Sequence, residues 1–137
     1  MQIKVFINSI SAERFWEPGE PFPPIHVATN LHIISMEKIE SKVIVPFILN
    51  VTYTPAVGNI TLKGKAIVTG EENELDKIVA AYKRKSPPDA RIMQTISNVS
   101  FIESTLISRI INVPPPIPLP QISQKEEKNN KRARYTA

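Results

Sequence analysis

Apolar and polar residues alternate along most of the first half of the chain. Four segments follow this period of two, which is typical of β-strands with one apolar face: residues 2–10, 26–34, 42–54 and 60–69. The second segment is expected to continue to Ile39 after an irregularity near Ser35. Pro46 has no amide hydrogen to give to a strand ladder, so the third strand is expected to lie at a sheet edge or to bulge there.

After Gly70 the apolar spacing changes to that of a short amphipathic helix. Its apolar positions are Leu75, Ile78, Val79 and Tyr82. Residues 86–89 resemble a capping box with proline at the first helical position, so a second, longer helix is predicted to start there. This long helix has two partly apolar stripes. It is either buried deeply in a small domain or packed on one side against a second subunit, and both interpretations stay open.

Four sequential strands followed by a short and a long helix predict an α+β fold, with a four-stranded antiparallel sheet and both helices on one face. Most core positions point towards the helices. Ile44, Ile48 and Ile67 have the opposite phase and are predicted to lie on the far face of the sheet. Apolar area on that face is a candidate surface for binding a polypeptide or a second subunit.

The chain has 137 residues, of which 42% are apolar, and this suffices for one domain with a core. We expect a domain over residues 1–122 that ends in an extended strap, Pro114–Pro120, because closely spaced prolines cannot continue a helix. Residues 123–137 form a basic tail that is expected to be disordered. The tail carries most of the net charge of +4, so the domain itself is nearly neutral.

The chain contains no cysteine, which excludes disulfides and thiol chemistry and fits a reducing cytoplasm. No apolar segment approaches the roughly 20 residues that a membrane-spanning helix needs, so a cytoplasmic location without a membrane partner is expected. Abundant isoleucine and the lack of cysteine suggest a heat-adapted source.

No group of residues has the spacing of a catalytic site. His26 and His32 share one strand face but are about 20 Å apart, so they cannot bind one metal ion. The glycines form no phosphate-binding pattern, and the acidic residues at 71–74 are explained by the dipole of the helix that starts there. We therefore expect no enzyme activity, no metal and no cofactor.

Three aromatic residues lie in the proline-rich loop after the first strand: Phe15, Trp16 and Phe22. Aromatic side chains in an irregular segment either anchor the loop to the core or offer an apolar surface to a partner. The sequence leaves both interpretations open.

The order of elements resembles the SecB-like fold family, which includes the bacterial export chaperone and small archaeal relatives. The resemblance covers about residues 1–120 and is carried by residues 5–15, Gly70, Ile96-Ser97-Asn98 in the long helix, and the strap. It implies a homo-oligomer, a dimer or a tetramer, whose apolar grooves bind unfolded polypeptide without ATP. The loop that holds Phe15, Trp16 and Phe22 corresponds to the family's crossover loop, which helps to form such a groove.

Two hypotheses follow. The first is a polypeptide-binding, holdase-like module that uses the aromatic loop and the three isoleucines of the far face. The bacterial chaperone is strongly acidic, whereas this domain is nearly neutral with a basic tail, so the family's handover to a motor protein is not expected here. The second hypothesis is a ribosome- or RNA-associated protein whose tail contacts nucleic acid through Lys128, Lys131, Arg132, Arg134 and Tyr135.

Overall fold

The computed structural model describes residues 1–116, which form one antiparallel sheet and two helices. The strands are β1 (Gln2–Arg14), β2 (His26–Ile33), β3 (Glu37–Ile39), β4 (Lys42–Thr54) and β5 (Gly58–Thr69), and the helices are α1 (Glu72–Lys83) and α2 (Ala90–Ile110). The predicted α+β class is confirmed. Within these residues the sheet has five strands rather than four, because the chain leaves the sheet after Ile33 and rejoins it at Glu37.

β1 lies at one edge of the sheet and is followed by β5, β4 and β2, while β3 pairs with β4 beyond the end of β2. β4 is a central strand in unbroken register with β5, so the prediction that Pro46 marks an edge or a bulge is wrong. On its other side Pro46 faces the gap between β2 and β3, where its carbonyl accepts a hydrogen bond of 2.9 Å from the Ile34 amide. The missing amide hydrogen falls where the neighbouring strand is interrupted, and the ladder tolerates it.

β1 continues to Arg14, beyond the predicted end at residue 10. Its register against β5 shifts between Ile7 and Ser9. This irregularity reverses the phase of the strand, so that Ile10, Ala12 and Arg14 lie on the same face as Ile7. Simple alternation therefore ends near the shift although the strand does not.

The face of the sheet that meets the helices forms the core. β4 and β5 contribute alternating residues that are completely buried: Val43, Val45, Phe47, Leu49, Val51, Ile60, Leu62, Ala66 and Val68. α1 packs Leu75 and α2 packs Ile92 and Ile96 onto one half of this face. The other half is covered by α2, by the loop between β1 and β2, and by Val113. Removal of this apolar surface from water is the main force that holds the two layers together.

α2 begins at Ala90, and Asp89 is its N-cap residue. The Asp89 carboxylate accepts hydrogen bonds from the backbone amides of Arg91, at 2.9 Å, and Ile92, at 3.4 Å. The predicted capping box, in which Asp89 occupied the third helical position after a proline, is therefore wrong: both prolines lie outside the helix. No helix within residues 1–116 is both long enough and apolar enough to cross a membrane.

Candidate functional site

The loop between β1 and β2 connects opposite edges of the sheet, so it must cross the sheet at one end. Trp16 and Phe22 pack against each other, with ring centroids 6.3 Å apart and ring planes inclined by 43°. Both side chains are half-buried against the core residues below α2. Phe15 differs, because 53% of its surface is exposed. Trp16 and Phe22 thus anchor the loop, and Phe15 is its aromatic residue most open to solvent.

Arg14 ties this loop to the end of α2. Its Nε donates a hydrogen bond of 2.7 Å to the carbonyl of Trp16, and its guanidinium group lies 4.8 Å from the centre of the Phe22 ring. Nη1 of the same side chain donates to the carbonyl of Asn112, and it lies 3.5 Å from that of Ile111. One side chain therefore fixes the aromatic loop relative to the start of the proline-rich segment.

The first part of the strap is also fixed to the sheet. Tyr53 donates a hydrogen bond of 2.7 Å from its hydroxyl group to the carbonyl of Pro114, and burial raises the pKa of Tyr53 to about 12. Val113 is buried against Gly58, where an added Cβ would lie 3.0 Å from a Val113 methyl group. The rest of the predicted strap and the domain boundary at residue 122 lie outside the described residues.

The residues predicted for nucleic-acid contact lie outside the described residues as well: Lys128, Lys131, Arg132, Arg134 and Tyr135. Their role stays a prediction.

Ile44, Ile48 and Ile67 share the face of the sheet that points away from the helices, and we call this the outer face. Ile44 pairs directly with Ile67, and each of the three side chains is half-buried. Trp16 and Phe22 lie on the opposite, helix-covered side. The structure therefore brings the three isoleucines together but keeps them apart from the anchored loop aromatics.

The outer face also contains residues that the sequence analysis did not select. Phe6 lies opposite Lys65, and 47% of its surface is exposed. Lys4 pairs with Ile67, and Lys63 pairs with Ile48. Lys63 has the same phase as Ile67 along β5, and Lys4 alternates with the core-facing Ile3 and Val5 of β1, so alternation alone would have placed both lysines on this face. It would not have shown which strands are neighbours.

A second apolar surface lies where α2 approaches the β1 edge. Three residues at helical spacing form an exposed stripe on α2: Ile102, Leu106 and Ile110, with exposed fractions of 57%, 49% and 77%. α2 contacts both β5 and β1. Ile10 of β1 pairs with Leu62 on the helix-covered face, yet it is 59% exposed. Of the two apolar stripes expected along α2, Ile92, Ile96 and Ile107 lie in the core, whereas Leu106 and Ile110, with Ile102 beside them, lie on the surface of this chain.

His26 and His32 lie on the outer face, and both are exposed. Within residues 1–116, no three acidic or histidine side chains are close enough together to hold a metal ion. The Trp16 indole nitrogen and the Ser100 hydroxyl are buried side-chain polar atoms with no hydrogen-bond partner in the same range.

The fold and these surfaces define a small α+β protein whose sheet is covered by helices on one face and carries half-buried isoleucines on the other. No protein-family model and no curated protein matches the chain. Among solved structures it is similar to the SecB-like chaperone Rv1957 of Mycobacterium tuberculosis, in complex with a ChAD peptide from the Rv1956 HigA1 antitoxin. The TM-score is 0.58 at 13% identity, over 88% of this chain and 90% of that one. At this identity the likeness shows the fold alone, so the chain has a SecB-like fold.

Proposed function

We propose that this protein is a polypeptide-binding module that holds non-native chains without ATP, as a holdase chaperone does. The proposal rests on the apolar surface left on the outer face, where Ile44 and Ile67 form a cross-strand pair beside Ile48. Apolar surface on a sheet binds extended chains with little sequence preference. The similar SecB-like structure is a chaperone in complex with a peptide, which supports a binding role rather than an enzymatic one.

The aromatic loop is the second client contact that we propose. Phe15 is half exposed, and Arg14 holds the loop in a defined position. The buried indole N–H of Trp16 has no acceptor among the described residues. An unpaired buried donor is costly, and a shift of the loop that uncovers this N–H would let a carbonyl group of a bound client satisfy it. Because the anchored loop aromatics and the outer face lie on opposite sides of the sheet, a client that contacts both must pass around the end of the sheet.

The decisive experiment is suppression of aggregation of a denatured client by variants of each surface. Ile48→Thr with Ile67→Thr keeps the β-branched shape while making the outer face polar, and Phe15→Ser removes the exposed loop aromatic. We expect each change to reduce suppression several-fold, because apolar contact area is lost. Thr52→Ser with Thr54→Ser on the same face is the matched control and should behave like the wild type.

Urea unfolding of every variant separates loss of binding from loss of fold. Trp16→Ser with Phe22→Ser also tests the loop, but these side chains pack on the core, so their stability must be measured in parallel. Full suppression by the folded outer-face and Phe15 variants would overturn the proposed function.

We also propose that the protein is a homo-oligomer. The exposed stripe of Ile102, Leu106 and Ile110 belongs to α2, which contacts β1, and β1 pairs on one side only among the described strands. A second copy placed across this edge would cover the stripe and would pair with the free edge of β1. An exposed apolar stripe and an unpaired strand edge both favour association with another chain. The RNA-binding alternative concerns the tail alone and is compatible with both proposals.

A further inference from the structure

Four lysines surround the apolar part of the outer face. Their cross-strand partners follow from the register: Lys4 pairs with Ile67, Lys65 with both Phe6 and Pro46, Lys63 with both Ser9 and Ile48, and Lys42 with Thr69. The sheet therefore brings together an apolar centre of isoleucine and proline and a set of amino groups that are far apart along the chain. Neighbouring strands are about 4.8 Å apart, so each apolar side chain of the centre has an ammonium group within reach.

The positive charge of this face is not neutralised by the described part of the domain. None of the four lysines forms an ion pair within residues 1–116, whereas Lys38 is paired with Glu72 and Asp76. On the paired strands the acidic residues of this face are Glu13, at the far end of β1, and Glu37, which pairs with Ile44, so the four lysines outnumber them. Because the domain as a whole is nearly neutral, the positive field is a local property of the outer face.

The spacing of these groups matches that of an extended polypeptide. Side chains that point the same way on a strand recur every 6.6 Å or so, in the sheet and in an extended client alike. A client lying along β4 and β5 would place its apolar side chains on Ile44, Pro46 and Ile48. With its backbone above the boundary between β4 and β5 and its side chains directed alternately to the two strands, the client would bring the intervening side chains to the flexible ends of Lys63 and Lys65.

We propose that the outer face selects extended client segments in which apolar residues are interleaved with aspartate and glutamate. This inference rests on the proposed polypeptide-binding function and specifies its substrate class. The lysines contribute long-range attraction and charge-assisted contacts, while the isoleucines contribute apolar contact area. Segments interleaved with lysine or arginine would be repelled from the same apolar surface.

Nucleic acid is the other anionic polymer that four lysines would attract. Proteins that bind single strands usually combine such charge with aromatic rings on which bases stack. Phe6 is the one phenylalanine, tyrosine or tryptophan that the paired strands place on the outer face. The centre of the face is aliphatic, which favours aliphatic client side chains over bases.

The first test compares two fluorescent peptides with the same order of leucine and valine, one interleaved with glutamate and the other with lysine. Binding to the full-length protein is followed by fluorescence anisotropy. We expect the glutamate peptide to bind about tenfold more tightly at low salt, and the difference to shrink at 1 M salt, where the Debye length falls to about 3 Å.

The second test reverses the charge of the face. Lys63→Glu with Lys65→Glu should reverse the preference, so that the lysine peptide binds more tightly. Lys77→Glu with Lys83→Glu makes the same change of net charge on α1 and should leave the preference as it is in the wild type. The basic tail is present in both variants, so its attraction for the glutamate peptide is the same in both.

The outcomes separate the two proposals. The charge selection is overturned if the two peptides bind with equal affinity, or if the Lys63 and Lys65 variant keeps the preference of the wild type. Either result leaves the proposed polypeptide binding intact. Failure to bind either peptide overturns both. A single-stranded RNA oligomer that displaces the glutamate peptide and binds more tightly would assign the face to nucleic acid. Dissociation of an oligomer by the Lys63 and Lys65 variant would assign it to a second copy, and either result overturns the inference.

Discussion

Single side chains hold the aromatic loop and the first residues of the strap against the domain. Arg14 joins the carbonyls of Trp16 and Asn112, and Tyr53 bonds the carbonyl of Pro114. The sequence indicates neither contact, because the partners are distant along the chain and the accepting groups are backbone carbonyls. The prediction for Asp89 was partly correct. The start of the long helix was recognised, but Asp89 was assigned to the third helical position, whereas it is the N-cap residue. Residue types show that a cap exists, and only backbone geometry shows which residue it is.

Tyr53→Phe tests the link between strap and sheet through its pH dependence. Burial raises the pKa of Tyr53 from 10.0 to about 12, so the neutral phenol is favoured in the folded state. Below pH 10 both states are neutral and the stability is unaffected. Above pH 10 the unfolded chain ionises first, and the folded state loses about 1.4 kcal/mol by pH 11.

The phenylalanine variant lacks both the hydrogen bond and this loss. We expect it to be about 1 kcal/mol less stable than the wild type at pH 8, and the difference to vanish near pH 11. Urea unfolding of both proteins at the two pH values measures this. A difference that is the same at both would contradict the burial of the phenol.

At the scale of elements, alternation predicted every long strand but not the order in which the strands lie. β5 separates β1 from β4, and this arrangement puts Lys4 of β1 beside Ile67 of β5, and Lys63 of β5 beside Ile48 of β4. No pattern within one strand contains that information. The prediction that β4 lies at an edge or bulges at Pro46 failed for the same reason, because it depended on the neighbouring strand. The missing amide hydrogen of Pro46 lies opposite an interruption in that neighbour, between β2 and β3. Alternation within each strand was enough to predict that Ile44, Ile48 and Ile67 share a face, and the structure confirms this.

The packing of β1, β5 and β4 depends on Gly64. A Cβ at this position would lie 2.8 Å from Cζ of Phe47 and still closer to the carbonyl oxygen of Phe6. Gly64→Ala should therefore push β1 away or tilt the Phe47 ring, and we expect a loss of about 1–3 kcal/mol in the free energy of unfolding. Thermal and urea unfolding measure the loss. Phe47→Leu in the same chain should recover part of it relative to the sum of the single changes, since the ring is one of the two obstacles.

Gly70→Ala is the control for this prediction, because the nearest neighbour of its added Cβ is the terminal residue Met1, 3.3 Å away. Its effect should stay within about 0.5 kcal/mol. Equal stability of the Gly64 and Gly70 variants would show that β1 adjusts without cost.

For the whole molecule, the distribution of apolar surface predicts assembly. Leu106→Glu with Ile110→Glu places two charges in the exposed α2 stripe, and we expect the double variant to sediment as a monomer under conditions in which the wild type is a dimer or a tetramer. Analytical ultracentrifugation over a range of protein concentrations measures this. Lys77→Glu with Lys83→Glu introduces two acidic residues elsewhere and should leave the assembly unchanged. A wild type that remains monomeric throughout would contradict the proposed homo-oligomer.

The pairing of β1 with β5 has a consequence for the synthesis of the protein on the ribosome. Arg14 pairs with Gly58 and Gln2 with Thr69, so β1 has no partner until β5 begins and is fully paired only when β5 ends. Until then its apolar residues, Phe6 and Ile10 among them, are exposed to solvent on the nascent chain. Until β5 is made, the nascent protein is itself the kind of chain that it is proposed to protect.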